Sequence, residues 1–524
     1  MQNRLVSYFR HRLVNTDENW RFQTLSFFVL TLLTRLPFRS RFLYDHDSVQ
    51  FALGMRDYDV YLNQPHPPGY FLYVNTARLI NYFVQDPNVS LIWVSIVASA
   101  LTVAVIYNLG SAIFGRREGW WAALVTATSP LFWFFGEVAL TYVVAACFAA
   151  LAGLLTWRLL NRCDRWIYLF PVVLGVAAGF RQDLLVFLGP LWLIGFAKAN
   201  RRTFAIALLL LLLTLMLWFV PMLIATGGSA RYFSALSELW QYNNAPQSVW
   251  HSQVSSPFDT LLTLLGFLSY GVGIGTIFLL FSVYALFRTG EWRRLAGNKL
   301  LFFASWLAPA LLFFGLVFIP PYKYSYGLVI VPAFLLLTPP AVRKALGALK
   351  NLTGFSKLNG VHAPTFILAL IVGANSIVFC LAGGGFSVSG LRTHDRLLAA
   401  IFSGISNNFP SQSTVILGRQ RSTFSGYRHI QYYLPEYPVY LADQQSNLQG
   451  QPWYVFGARD GRTTLSKHVE IPPGTERIVF LADPYFPESN SDLPKMNLRS
   501  LRISDDYTLF YKEIEPAERT AAKK

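Results

Sequence analysis

The run "AIALLLLLLTLMLWFVPMLIA" at 205–225 leaves this chain few choices of fold. About 20 apolar residues cross roughly 30 Å of hydrocarbon as a helix. Lipid offers the backbone no hydrogen-bond partner, so a run of this kind must be helical. Comparable runs recur, and spans are expected near 21–37, 89–114, 119–136, 138–158, 166–180, 184–198, 203–225, 259–287, 300–319, 325–342 and 364–383. The expected class is a mainly α, polytopic membrane protein with about eleven transmembrane helices. Composition agrees, since only 14% of the 524 residues are charged, against about a quarter in an ordinary soluble domain.

A formal charge of +16 invites a nucleic-acid reading, but the placement of the charges opposes it. Basic residues gather in alternate connections: Arg4, Arg10, Arg12 and Arg21; Arg116 and Arg117; Arg158, Arg162 and Arg165; Lys198, Arg201 and Arg202. Arg288, Arg293, Arg294 and Lys299 follow, then Arg343, Lys344, Lys350 and Lys357. The opposite short connections hold little beyond Arg181, Arg231 and Lys323. Lys/Arg excess marks the cytoplasmic side, so the N-terminus is expected inside and the C-terminus outside. No nucleic-acid partner is expected. Cys147, Cys163 and Cys380 lie in or beside apolar segments, which gives neither a disulfide framework nor a Cys-based metal spacing. No cleavage site follows the first span, which is expected to stay as an anchor.

From about Gly385 the pattern changes. "TVILG", "YPVYLAD", "PWYVFGA", "RIVFLAD", "SLRIS" and "TLFYKEI" read as short strands, and 394–409 has helical spacing. The expected organisation is a membrane domain at 1–384, a small extracytoplasmic α/β domain at 385–515 and a disordered tail at 516–524. No internal repeat is evident.

The first exported loop, 38–88, is the least bland part of the chain. It contains "YDHDSVQFALGMRDYDVYLNQPHPPGYFLYV" (44–74), with Asp45 and Asp47 close behind the first span. A partly desolvated carboxylate there can accept a proton from an incoming hydroxyl. "DHDS" also reads as an N-cap cluster for a helix starting near Ser48. The prolines of "Gln64-Pro65-His66-Pro67-Pro68-Gly69-Tyr70" restrict the backbone and hold His66 in a rigid turn. Asn75, Arg78 and Tyr82 then share a helical face opposite Phe71, Leu72, Leu79 and Phe83, the pattern of an interfacial helix.

Together these elements resemble the GT-C membrane glycosyltransferases, in particular the protein O-mannosyltransferase-like clan and its bacterial relatives, the aminoarabinose transferases. One branch of that clan shows Asp-Ser-Gly-Glu-Phe, then His-Pro-Pro-Gly-Tyr, then a Glu-Val pair opening a later span. Here those read Asp47-Ser48-Val49-Gln50-Phe51, His66-Pro67-Pro68-Gly69-Tyr70 and Glu137-Val138. Gln50 and Val49 depart from the pattern, so a role for its second acid does not carry over. The resemblance covers roughly residues 20–200 well, the later spans loosely and the C-terminal domain not at all.

What the resemblance implies is inverting transfer of a sugar from a polyprenyl-phosphate carrier to an exported glycan, lipid or protein acceptor, in a bacterial inner membrane. Asp47 matches the catalytic aspartate, and the Asp-x-Asp spacing keeps Asp45 as the alternative base. His66, Arg181 and Lys323 are the candidates for the donor phosphate. Arg78 is a further candidate whose simpler place is the polar face of its helix. Glu137, Tyr70 and Trp250 are candidates for sugar or acceptor, although Trp240, Trp250, Tyr242 and His251 also suit an aromatic belt. Asp45-His46-Asp47 offers oxygens and an imidazole to a divalent ion, but the resembling branch works without metal, so no cofactor is expected. The rival reading is a flippase for lipid-linked sugars. Such a transporter would carry ionisable groups near the bilayer midplane. Here they gather at helix ends.

Overall fold

The computed structural model describes residues 19–161, 164–241, 248, 256–290, 297–320, 323–353, 363–419, 426–442, 455–466, 471–482 and 497–514. Helix α1 (Asn19–Arg35) ends in a short 3-10 turn, Leu36–Phe38. The following loop carries two helices expected at the interface, α2 (His46–Arg56) and α3 (Phe71–Val84). The side chain of Asp86 caps α4 (Pro87–Phe114) by accepting from the Val89 N–H at 3.0 Å. This helix is buried along most of its length among α1, α5 (Arg116–Thr128) and α7 (Tyr142–Leu160).

Three expected spans are broken in the structure. The run 119–136 breaks at Ser129, whose hydroxyl caps a separate short helix, α6 (Pro130–Phe135). Proline at the first helical position lacks the N–H that would continue the preceding helix. The single span expected over 259–287 is two helices, α12 (Pro257–Val272) and α13 (Gly275–Thr289), bent by 116°. Gly273 sits at the bend with φ +66°, and a Cβ there would collide with Asn375. The span expected at 325–342 begins as a 3-10 turn, Tyr324–Val329, before α15 (Val331–Thr353).

The remaining membrane elements are α8 (Leu169–Phe180), α9 (Leu184–Gly195), α10 (Arg201–Ala225), α11 (Ser229–Leu239), α14 (Asn298–Leu316) and α16 (Ala363–Leu381). Helices α8 and α9 have 12 residues each, about 18 Å, too short to cross alone. By length and composition five described helices can cross a membrane, or six if the bent pair counts as one span. The expected eleven is not reached on that measure.

Beyond α16 a long amphipathic helix, α17 (Val388–Asn408), leads into a seven-stranded sheet of order β4-β3-β2-β1-β5-β7-β6. The strands are β1 (Thr414–Arg419), β2 (Val439–Ala442), β3 (Val455–Arg459), β4 (Arg462–Ser466), β5 (Arg477–Phe480), β6 (Arg499–Ser504) and β7 (Tyr507–Glu513). β1 pairs parallel with β2 and β5, while the outer strands pair antiparallel. The helix between β1 and β2, α18 (Tyr427–Tyr433), packs against α2. Leu398, Ile401 and Ile405 of α17 join Val439, Val479 and Leu509 in a core separate from those of the helical part.

Candidate active site

Helix α2 sets the geometry. Asp45 is its N-cap in extended conformation, accepting from the Asp47 N–H at 3.0 Å, and Ser48 returns a bond to the Asp45 N–H at 3.3 Å. This reciprocal capping fixes the entry of the helix. Asp47 falls in the first turn, where the aligned peptide dipoles favour a negative charge. Its side chain keeps 29% of its surface exposed, whereas Asp45 keeps 8% as a residue. Asp47 is therefore the carboxylate that an arriving molecule can reach.

The proline turn delivers His66 to the same place, with Nδ1 3.6 Å from Asp47 Oδ1 and 2.6 Å from Gln50 Oε1. An amide oxygen only accepts, so the ring proton belongs on Nδ1 and Nε2 is left as an acceptor. Gly69, with φ +111°, has no room for a Cβ against Met222, Tyr58 and Val60. The Pro68 carbonyl accepts from Gln182 Nε2 at 2.9 Å and Tyr232 Oη at 3.3 Å, tying the turn to the α8–α9 connection and α11. Tyr70 lies against His66, with ring centroids 5.0 Å apart.

Arg181 caps the C-terminus of α8 and is 7% exposed. Asp183 takes two of its N–H groups, at 2.6 and 3.2 Å, and Thr141 Oγ1 a third at 3.3 Å. Its guanidinium lies over Tyr142, 5.0 Å from the ring centroid. Of the five guanidinium N–H groups, two remain. Lys323 comes from a third connection, just before the 3-10 turn at Tyr324, and makes no ion pair within 4 Å among the described residues. Beside Arg181, Leu184, Phe187, Phe314 and Val329 line a small cavity of about 10 Å³, room for a single water, that also touches Tyr142 and Tyr326.

These groups perturb one another. Burial pushes the Asp45 carboxyl up to about 6, helped by Asp47 and opposed by Lys323. Burial acts on Asp47 too, but His66, Lys323, His46 and Arg181 outweigh it and hold this carboxyl below its ordinary value. Burial lowers His66 despite the pull of Asp47. Lys323 is raised because Asp45 and Asp47 more than offset its desolvation. The site at neutral pH is thus an ionised Asp47, a neutral His66 and two fixed cations.

Other expected residues lie elsewhere. Arg78 donates to the Gly54 and Met55 carbonyls at 2.8 and 2.9 Å and to Asn75 Oδ1 at 3.2 Å. It closes the last turn of α2 instead of joining the phosphate candidates, because that turn leaves carbonyls without helical partners. Glu137 is fully buried and accepts from the Trp133 indole N–H at 3.1 Å, and Arg35 stacks on that indole at 4.4 Å. None of these partners belongs to the Asp47 group. Trp240 is exposed at the end of α11. Trp250, Tyr242 and His251 lie outside the described residues, as do Cys163 and the tail. Asp45, His46 and Asp47 do not act as a set: the His46 ring packs against Tyr427, 5.7 Å between centroids. Among the described residues no three His, Cys, Asp or Glu side chains converge for a metal ion.

The crystal structure of ArnT from Cupriavidus metallidurans bound to undecaprenyl phosphate has a TM-score of 0.54 to this chain, at 13% identity. The match spans 96% of this chain and 99% of that one. The chain has the fold of that ArnT. The apo form of the same ArnT gives a TM-score of 0.54 at 12% identity, over 95% and 98% of the two chains. A family model described as dolichyl-phosphate-mannose-protein mannosyltransferase matches residues 65–224. Among curated proteins none matches.

The C-terminal unit grips the loop that bears the candidate site. Arg428 Nη2 donates to the Leu62 carbonyl and Thr463 Oγ1 to Gln64 Oε1, each at 2.6 Å. His394 and His429 hold the Tyr44 and Leu43 carbonyls at 2.8 and 3.0 Å, and Tyr433 Oη accepts from the Leu43 N–H. Sequence reasoning missed these contacts, and also the bond between Gln50 and His66 and the place of Asp183. For Asp183 the signal was available, two residues from Arg181 in "FRQDLL".

A pH effect follows from the carboxylate pair. Asp45 binds its proton more tightly folded than unfolded, so this group's stabilisation is lost as pH rises from about 4 to about 6. Asp47 acts in the opposite sense, and only below the ordinary aspartate value of about 4. In kcat/KM the main acidic limb is expected below pH 4, from Asp47. A shallower step near 6 comes from Asp45, and Asp45→Asn should remove it. A profile with its full acidic limb near 6 would point to Asp45, not Asp47, as the carboxylate that turnover depends on.

Proposed function

We propose that the chain is an inverting glycosyltransferase that moves a sugar from a polyprenyl-phosphate carrier to an acceptor hydroxyl on the extracytoplasmic side of a bacterial inner membrane. The observation that carries this reading is a part-exposed, ionised Asp47 under the influence of the Lys323 and Arg181 charges, beside His66 in the first exported loop. The two cations suit the phosphate of an isoprenoid carrier. Undecaprenyl phosphate bound to the ArnT of similar fold supports a carrier of this class.

In the proposed step Asp47 accepts the acceptor's proton while its oxygen attacks the anomeric carbon. The bond from that carbon to the phosphate oxygen breaks, and its electron pair stays on the phosphate. Lys323 and the two remaining N–H groups of Arg181 meet the charge that develops there. A single displacement inverts the anomeric centre. His66, being neutral, supplies no positive charge. Its Nε2 is free to accept a second hydroxyl and orient the acceptor beside Asp47.

The phosphate role is testable without knowing the sugar. Arg181→Gln and Lys323→Gln should each weaken binding of undecaprenyl phosphate by about 10- to 100-fold, the worth of a hydrogen bond to a charged group. A scintillation proximity assay on the purified protein reads this directly. Unchanged affinity in both variants would remove these residues from the phosphate site.

A further inference from the structure

At the foot of α1 lies a second concave site, which shares no lining residue with the cavity beside Arg181. Leu36, Pro37, Arg39, Arg41 and Arg392 line it, around a volume of about 340 Å³. That falls within the range of ordinary small-molecule sites, roughly 300–1,000 Å³. Arg392 is fixed in place, with Nη1 bonded to the Arg39 carbonyl at 3.1 Å and to Asp395 Oδ2 at 2.8 Å, and Nη2 to the Pro37 carbonyl at 3.3 Å. Asp395 has nothing further to give, because its other oxygen accepts from Ser40 Oγ, the Arg41 N–H and the Phe42 N–H.

Of the three guanidinium groups lining the pocket, only that of Arg392 is paired with a carboxylate among the described residues. The side chains of Arg39 and Arg41 are exposed and have no hydrogen bond or ion pair with the described residues. Guanidinium forks match phosphate oxygens in pairs, which ammonium groups do not. The apolar surface of α1 narrows the ligand further. The pocket follows directly on α1, whose Leu25, Val29, Leu30 and Leu33 are exposed apolar side chains that suit acyl chains. Its own wall of Leu36 and Pro37 continues that apolar surface.

We propose that this pocket holds the phosphate of an anionic lipid headgroup, clamped by Arg39, Arg41 and Arg392. The site is distinct from the one that would hold the donor. It also sits on the loop that leads into Asp45 and Asp47, so its occupant braces that loop from the lipid side.

The test is native mass spectrometry of the full-length protein in detergent, titrated with phosphatidylglycerol or phosphatidylcholine. Wild type is expected to take up phosphatidylglycerol first. Arg39→Gln/Arg41→Gln should weaken that uptake by about thirtyfold, roughly fivefold for each arginine beside anionic lipid. Arg201→Gln/Arg202→Gln, with the same loss of charge at another helix end, should leave the preference in place. An unchanged preference in the Arg39/Arg41 variant would overturn the proposal, as would an equal loss in the Arg201/Arg202 control. Displacement of the lipid by inorganic phosphate at equal concentration would overturn it too, by assigning the site to free phosphate. No turnover is measured, so these outcomes leave the transferase reading to its own experiments.

Discussion

Asp47→Asn is expected to lower kcat by about 10²- to 10⁴-fold, the usual worth of a positioned general base. The protein should stay folded, because the α2 cap uses the Asp47 backbone N–H and not its carboxylate. Donor binding should change much less than kcat, since the phosphate is assigned to Lys323 and Arg181. Asp45→Asn separates the two candidate bases. Asparagine caps a helix about as well as aspartate, so this variant keeps the start of α2 and removes only the second carboxylate. Single-turnover rates of the two variants decide between them. A small effect at Asp47 beside a large one at Asp45 would reverse the assignment.

Asp395→Ala should have the largest effect on stability, a loss of roughly 3–5 kcal/mol. Asp395 is 3% exposed, and four donors converge on it: Ser40 Oγ, the Arg41 and Phe42 N–H groups, and Arg392. Truncation leaves those donors facing an apolar gap and removes the charge opposite Arg392. Asp395→Asn keeps an acceptor oxygen and should recover about half of the loss. The contact joins α17 to the loop behind α1, residues 355 apart in the case of Ser40. Loosening should therefore reach Asp47 and lower kcat as well. Hydrogen exchange over residues 39–48 would register it as faster exchange in Asp395→Ala; unchanged exchange would mean that the loop is held by other contacts.

Local chemistry was legible in the sequence, and long-range chemistry was not. "DHDS" announces a capped helix, and Asp45 and Ser48 make that cap. The apolar spacing after Tyr70 announces a helix, and α3 spans it. In the C-terminal unit six of the seven strands fall on runs marked by β-branched and aromatic residues. The seventh, β4, escaped notice although the Asp460-Gly461 turn before it is a strong hairpin signal, with both residues at positive φ. The bend at Gly273 was hidden because an unbroken apolar run looks the same whether its helix is straight or folded back. Arg78 was legible as a helix-face residue, but the carbonyls it serves, at Gly54 and Met55, lie on another helix. The grip of Arg428 on Leu62 spans 366 residues, and no pattern at either end signals the other.

The measurement that bears most directly on the account uses purified protein in vesicles, supplied with undecaprenyl-phosphate sugars labelled at the anomeric carbon and with candidate acceptors. The account expects wild type to form a new glycosidic bond with the anomeric configuration inverted, releasing undecaprenyl phosphate, and Asp47→Asn to form almost none. Movement of the labelled lipid across the bilayer with no bond formed, at equal rates in both proteins, would contradict it.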